Sequence, residues 1–124
     1  MASLDPKELQ RRLLRALDVA GKTHAPEDVA AEVEAGRMQA WNRGDSLVVT
    51  EVLEYPRARA LNMFLAVGNL DEVLDLIPDM AAFGREQGCT SMRMQGRRGW
   101  ARVLPALGWH EQKQVIYERT LTDG

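Results

Sequence analysis

The sequence predicts a single α/β domain in which two N-terminal helices precede a mixed central sheet with helices on its faces. The chain has 124 residues and a hydrophobic fraction of 45%, which suits one packed core. Its apolar pattern changes from helical spacing to strand alternation near Met38. A strand, helix, strand unit follows over residues 60–95, and the two strands of such a unit are normally parallel.

The predicted element order is ααβββαβαβ, with a helical segment at residues 1–36 and a sheet-containing core at residues 37–121. The sequence contains no internal repeat, low-complexity tract or linker. We therefore expect residues 1–124 to form one domain.

Two helices are predicted before the first strand. Asp5 can cap the first helix, Pro6 suits its first turn, and Glu8 completes a capping box. The apolar face of this helix is made of leucines at helical spacing: Leu9, Leu13, Leu14 and Leu17. The second helix is predicted from Pro26 to Ala35, because Gly36 follows as a stop signal.

Three strands are predicted next. Alternation begins at Met38 and is followed by the turn-forming run 42–45, which predicts a hairpin. Its second arm, residues 47–53, is rich in β-branched side chains. Residues 60–67 are nearly all apolar, as expected of a central strand that is buried on both faces.

The C-terminal half is predicted to contain two more helices and two more strands. An apolar stripe over residues 70–87 predicts the longest helix, with a kink or break just before Pro78. Residues 90–95 alternate as a strand. A short helix ending at Leu107 and a last strand over residues 112–121 complete the order.

Composition limits the classes of function. Sixteen basic and 18 acidic residues give a formal charge of −2, which argues against a surface built as a whole to bind nucleic acid or anionic lipid. Cys89 is the single cysteine and cannot form an internal disulfide, and the first residues lack the apolar core of a signal peptide, so we expect a cytoplasmic protein. No apolar run suits a transmembrane helix. His24 and His110 lie far apart in sequence, and no metal site is expected.

The order of elements resembles that of the GNAT family of acyl-coenzyme A N-acyltransferases without the family's first strand. Residues 37–121 carry the match. Its local signature is Gly88-Cys89 before a strand, then a helix closed by Leu107-Gly108-Trp109, similar to the family's frequent Leu-Gly-Phe ending. The two N-terminal helices followed by GRMQAW also resemble compact GNAT-like proteins encoded by tailed phages and prophages.

The resemblance implies that acetyl-CoA binds where the central strand leads into the long helix. Backbone N–H groups at a helix N-terminus can bind a pyrophosphate. This chain departs from the family's basic, glycine-rich loop there, because residues 67–72 contain one glycine, no arginine and two carboxylates. The candidate cofactor-binding residues are Leu65, Val67, Gly68, Asn69, Arg97, Arg98 and Trp100.

The family's catalytic tyrosine has no counterpart at the matching position. Counting back from Gly108, that position holds Leu104, which cannot transfer a proton. The candidates for catalysis are Glu51, as a strand-borne general base, and Tyr117, as a relocated acid.

A basic cluster offers a different kind of site. Arg93, Arg97, Arg98 and Arg102 lie around a predicted strand end and helix start, and with Trp100 they are suited to phosphate or nucleic-acid backbone. Such a run is also typical of a solvated helix start. Tryptophans beside short strands are more often core or rim residues than stacking platforms, and Cys89 is expected to be structural.

Three functions follow as hypotheses. The first is a GNAT-fold protein of phage or prophage origin that lacks the usual acetyl-CoA chemistry and acts by protein binding or assembly. The second is an active N-acyltransferase with a noncanonical acetyl-CoA site. The third is a nucleic-acid-binding module that uses the arginine cluster. A missing first strand would leave one sheet edge open, so a homo-oligomer formed by edge pairing is also expected.

Overall fold

Helices cover both faces of a four-stranded sheet in the computed structural model, which describes residues 6–17, 24–94, 100, 102–112, 117, 119 and 121. The elements are α1 (Pro6–Leu17), α2 (Pro26–Glu34), β1 (Met38–Arg43), β2 (Ser46–Tyr55), β3 (Ala58–Val67), α3 (Leu70–Glu86), β4 (Ser91–Met94) and a 3₁₀ helix at Leu104–Leu107. The mixed α/β class predicted from the sequence is confirmed.

The strands lie in the order in which they occur along the chain. β1 pairs with β2 and β2 pairs with β3 in antiparallel fashion, whereas β3 and β4 are parallel. The parallel pair is the one predicted for a strand, helix, strand unit, with α3 as the crossover. β1 and β4 are the two edges of this sheet in the described part of the chain.

Two apolar cores lie on opposite faces of the sheet. Helices α1 and α2 cover one face, whose buried residues are Leu9, Leu13, Val29, Met38, Leu47, Val49 and Leu65. Helix α3 covers the other face, whose buried residues are Val48, Leu61, Met63, Val73, Leu76, Met80 and Trp100. Alternate residues of β2 therefore enter different cores, as the period of a strand requires.

A β-bulge interrupts β3. Val49 of β2 pairs with Leu65, but the next residue, Thr50, pairs with Met63, so Phe64 is the extra residue. Met63 belongs to the core under α3 and Leu65 to the core under α1 and α2. Because of the bulge, Met63 and Leu65 point to opposite faces of the sheet, although residues two apart in a regular strand point to the same face.

Local ion pairs support the N-terminal helices. In α1, the carboxylate of Glu8 accepts hydrogen bonds from Arg11 at 2.7 Å and from Arg12 at 3.0 Å. These two bonds lower the pKa of Glu8. Arg12 also donates to the backbone oxygen of Ser46 at 3.4 Å, which links α1 to the hairpin. Asp5, the predicted cap of α1, lies outside the described residues.

Three local predictions need correction or qualification. Helix α3 is not broken at Pro78; it continues because Val73, Leu76 and Met80, on both sides of the proline, pack on the sheet. The predicted helix that ends at Leu107 contains a short 3₁₀ segment. Of the predicted last strand, the described positions 112, 117, 119 and 121 are not in a strand, and the rest lie outside the described residues.

Candidate functional site

The parallel strands part before β3 ends. Their pairing runs from Ala60 and Ser91 to Met63 and Met94, and β3 then continues to Val67. Phe64, the bulge residue, directly follows Met63, which is the last β3 residue paired with β4. Bulges re-aim a strand and end its pairing, and they are frequent beside functional sites. This end of β3 leads directly into α3, as the resemblance requires of an acyl-CoA site.

The first turn of α3 is capped by the chain's own side chains. Asn69 is the N-cap, and its side-chain oxygen accepts a hydrogen bond from the N–H of Asp71 at 2.8 Å. The N–H of Asn69 itself donates to the hydroxyl of Ser46 at 2.9 Å. Two backbone donors at the start of this turn are therefore satisfied internally.

A carboxylate completes this arrangement. The Ser46 hydroxyl donates to Glu72 at 2.8 Å, and Ser46 is fully buried. The turn between β1 and β2 lies against the same carboxylate, since a Cβ atom on Gly44 would fall 1.8 Å from Glu72 Oε2. Asp71 is the second acidic residue of the turn. We call Ser46, Asn69, Asp71 and Glu72 the helix-start cluster.

The helix-start cluster gives this end of α3 a negative side-chain environment. Arg43, the nearest arginine along the hairpin, forms a salt bridge with Asp75 at 2.9 Å. Carboxylates stabilise a helix N-terminus by the same charge interaction that would otherwise attract an anion. The cluster therefore stabilises the fold at the place where a pyrophosphate would need free donors.

A second polar group lies where β2, β3 and β4 run side by side. Asn62 donates to the carboxylate of Glu51 at 3.0 Å across the β2–β3 pair. On β4, Arg93 lies opposite Asn62 in the register and donates to the Tyr55 hydroxyl at 2.5 Å. Glu51 is half-buried, and its carboxylate is bonded to the Asn62 side-chain amide. Among the described residues, it forms no salt bridge with a cation.

Comparison with solved structures gives the fold its name. An acetyltransferase of Trypanosoma brucei matches with a TM-score of 0.66 and 11% identity over 94% of this chain and 96% of that chain. Glucosamine-6-phosphate N-acetyltransferase of Arabidopsis thaliana matches with a TM-score of 0.63 and 8% identity over 95% of each chain. The chain has a GNAT-type fold.

A third GNAT-fold neighbour is a wild-type protein of Thermus thermophilus, with a TM-score of 0.65 and 14% identity over 99% of this chain and 98% of that chain. No protein-family model and no curated protein sequence matches the chain. At identities this low, a shared GNAT fold carries no statement about activity.

The structure separates the candidate cofactor-binding residues. Leu65 is buried in the core and Val67 is half-buried at the end of β3, while Gly68 and Asn69 form the turn into α3. Trp100 is 8% exposed and packs in the core under α3, which removes its ring from the surface. Arg97 and Arg98 lie outside the described residues.

The two candidate catalytic residues have different environments. Glu51 is half-buried and bonded to Asn62, whereas Tyr117 is 91% exposed. In the predicted arginine cluster, Arg93 contacts Tyr55 and Arg102 is exposed. The nucleic-acid hypothesis stays a prediction.

The remaining candidates lie in or beside the cores. Trp41 donates its indole N–H to Thr50 at 2.9 Å, the local partner expected of a rim tryptophan. Cys89 is half-buried and packs against the core under α3. Among the described residues, no group of three or more His, Cys, Asp or Glu side chains is arranged to hold a metal ion. No helix in that part of the chain has the length and apolar character needed to cross a membrane.

Proposed function

We propose that this GNAT-fold protein acts by protein binding or self-assembly, without acyl transfer from acetyl-CoA. The observation that carries the proposal is the helix-start cluster. A pyrophosphate bound at the start of α3 would have to displace the Ser46 hydroxyl from Asn69 N–H and the Asn69 side chain from Asp71 N–H. The first replacement would break a bond between the hairpin and the start of α3, and the second would remove the N-cap bond of the helix.

Charge opposes such a ligand as well. Asp71 and Glu72 lie in the first turn of α3, and Glu72 is fixed by Ser46. Like charges at exposed positions repel by about 0.2 to 1 kcal/mol for each pair. A pyrophosphate at this position would meet that repulsion from the cluster, whereas Arg43 is already engaged by Asp75.

The surface that supports self-assembly is the free edge of β1. This strand has six residues, no proline and an uninterrupted register with β2. Natural edge strands are usually protected by prolines, bulges or inward-pointing charges. In the described part of the chain, β1 has a strand partner on one side only.

The hairpin register tells which backbone groups face this edge. Arg43 and Ser46 close a two-residue turn and form a hydrogen-bonded pair, and such pairs alternate along an antiparallel ladder. Trp41 and Gln39 therefore also bond to β2. The N–H and C=O groups of Met38, Ala40 and Asn42 point away from β2.

These outward groups fit a second copy of the same strand. If the two-fold axis of a dimer passes between the Ala40 residues of the two copies, Met38 of each copy lies opposite Asn42 of the other. The Ala40 pair and the Met38–Asn42 pairs can then exchange backbone hydrogen bonds. Arg37 would then lie opposite Arg43 of the second copy. Each of these arginines is already paired with a carboxylate of its own chain, Glu32 at 2.7 Å and Asp75 at 2.9 Å.

Replacement of Ala40 by proline tests the assembly. Ala40→Pro removes one outward N–H and leaves the β1–β2 bonds in place, because proline is tolerated on the free side of an edge strand. Light scattering should give about twice the chain mass of 13.9 kDa for the wild type and for the control Ala40→Val, and the monomer mass for Ala40→Pro. A wild-type protein that stays monomeric at millimolar concentration would contradict the β1 assembly.

An active N-acyltransferase is the second candidate function. It is favoured by the bulge at Phe64 and by the parting of β3 from β4 after Met63. In this candidate, acetyl-CoA would bind along Leu65 and Val67, with Arg97 or Arg98 replacing the missing loop arginine. Glu51 or a water molecule would accept the proton of the attacking amine. Tyr117 would be the acid.

We also propose a phage or prophage origin and a location in the host cytoplasm or the virion. The GRMQAW segment after two N-terminal helices supports a phage or prophage origin. The single cysteine supports a reducing compartment, which is the cytoplasm. For a phage-encoded protein, the location is the host cytoplasm or the virion. We take residues 1–124 as one GNAT-like domain, since α1, α2 and α3 all pack on the same sheet.

A further inference from the structure

A cleft lies beside β4, away from the helix-start cluster. It is open to solvent and has a volume of about 590 Å³, and the described residues that line it are Ser91, Met92, Arg93, Gly108, Trp109, His110 and Gln112. The β4 residues in its wall pair with residues 60–62 of β3. The cleft therefore lies beside the paired part of the two strands and not where they separate after Met63.

The apolar part of the cleft is fixed by the fold. Met92 and Trp109 are half-buried and pack against the core under α3. Trp109 is held by the end of the 3₁₀ helix, because its N–H donates to the Leu104 oxygen at 3.2 Å and Gly108 adopts a left-handed conformation with φ +91°. The sequence Leu107-Gly108-Trp109 thus places an indole ring in the cleft wall.

The polar part of the cleft is centred on Arg93. Its Nη1 donates to the Tyr55 hydroxyl at 2.5 Å, and its guanidinium carbon lies 6.0 Å from the centre of the Tyr55 ring. Arg93 forms no salt bridge with a carboxylate in the described part of the chain. Arg59 of β3, in contrast, is paired with Glu54.

Arg93 is therefore oriented by the Tyr55 hydroxyl and has no carboxylate partner among the described residues. A guanidinium can bind a carboxylate or a phosphate through two parallel hydrogen bonds. Ser91, His110 and Gln112 add uncharged or titratable hydrogen-bonding groups around it. Ligand sites commonly combine an apolar wall with a few placed polar groups in this way.

We propose that this cleft binds a small organic anion, with a carboxylate or phosphate group on Arg93 and a planar apolar body against Trp109 and Met92. This inference does not depend on the proposed function. It assigns a role to Arg93 and Trp109 that needs neither acyl transfer nor assembly.

Titration of ¹⁵N-labelled protein followed by NMR tests the site. The probes are benzoate and phenyl phosphate, with benzyl alcohol as the uncharged analogue and inorganic phosphate as the anion without a ring. We expect saturable millimolar binding of benzoate or phenyl phosphate, with the largest shifts at the Gly108 amide and the Trp109 indole. Comparison of the two anions shows which head group the cleft prefers.

Variants separate the site from nonspecific anion binding. Arg93→Gln should weaken binding by about tenfold or more, since it removes a charged hydrogen-bond donor. Tyr55→Phe keeps the ring and should weaken binding less. Arg85→Gln, an exposed arginine in the last turn of α3, is the matched control and should bind as the wild type does.

Three results would overturn the inference. These are shifts that do not saturate, equal binding of benzyl alcohol and benzoate, and equal losses in Arg93→Gln and Arg85→Gln. Because Arg93 and Arg85 are both exposed, neither substitution should disturb folding.

Discussion

Substitution of Gly68 by alanine should cost about 2 to 5 kcal/mol of unfolding free energy, from backbone strain of about 1 to 2 kcal/mol and overpacking of about 1 to 3 kcal/mol. Gly68 has φ +112° and links β3 to α3. A Cβ atom there would lie 2.3 Å from the Ser46 hydroxyl oxygen and 2.7 Å from the Ser46 Cα. The second contact is with backbone that the β1–β2 hairpin holds in place.

Gly36→Ala is the matched control for this prediction. Gly36 also has a positive φ, +80°, but a Cβ atom there meets nothing within 4 Å. Its cost should be the backbone strain alone, about 1 to 2 kcal/mol. Urea unfolding of both variants measures the difference. Equal costs would mean that the turn into α3 is not packed against Ser46.

Truncation of Leu13 to alanine should destabilise the protein by about 2 to 5 kcal/mol, because it leaves a cavity between α1 and the sheet. Leu13 is fully buried in the core that α1 and α2 share with β2 and β3. A loss of this size would show that the N-terminal helices fold as part of the same unit as the sheet.

The adjacent leucine provides the control. Leu14 lies on the same helix but is 57% exposed, so Leu14→Ala should change the unfolding free energy by less than about 0.5 kcal/mol. Thermal or urea unfolding of both variants gives the comparison. Similar effects of the two substitutions would contradict the packing of α1 on the sheet.

Local signals predicted much of this fold. The turn residues before Ser46 and the β-branched run after it indicated the hairpin, and the apolar run 60–67 indicated the central strand, because these patterns depend on neighbouring residues only. Of the kink or break predicted at Pro78, the break is wrong, since α3 continues through it. The packing of Met80 and Leu76 on the sheet outweighs one missing backbone donor.

The candidate site was less accessible to sequence reasoning. The sequence shows two carboxylates in residues 67–72 that disfavour a pyrophosphate, but it does not show the bond from Ser46 to Glu72. It joins residues 26 positions apart, and no local pattern signals such a contact. The bulge at Phe64 was missed for the same reason, because it is defined by the register with β2.

We propose that the start of α3 is closed to acyl-coenzyme A by the chain's own side chains. Calorimetric titration of the purified protein with acetyl-CoA and, in parallel, desulfo-coenzyme A at moderate salt tests it most directly. We expect no saturable heat with either ligand up to about 1 mM. Micromolar binding of either would contradict it and would establish the acyltransferase as the function to pursue.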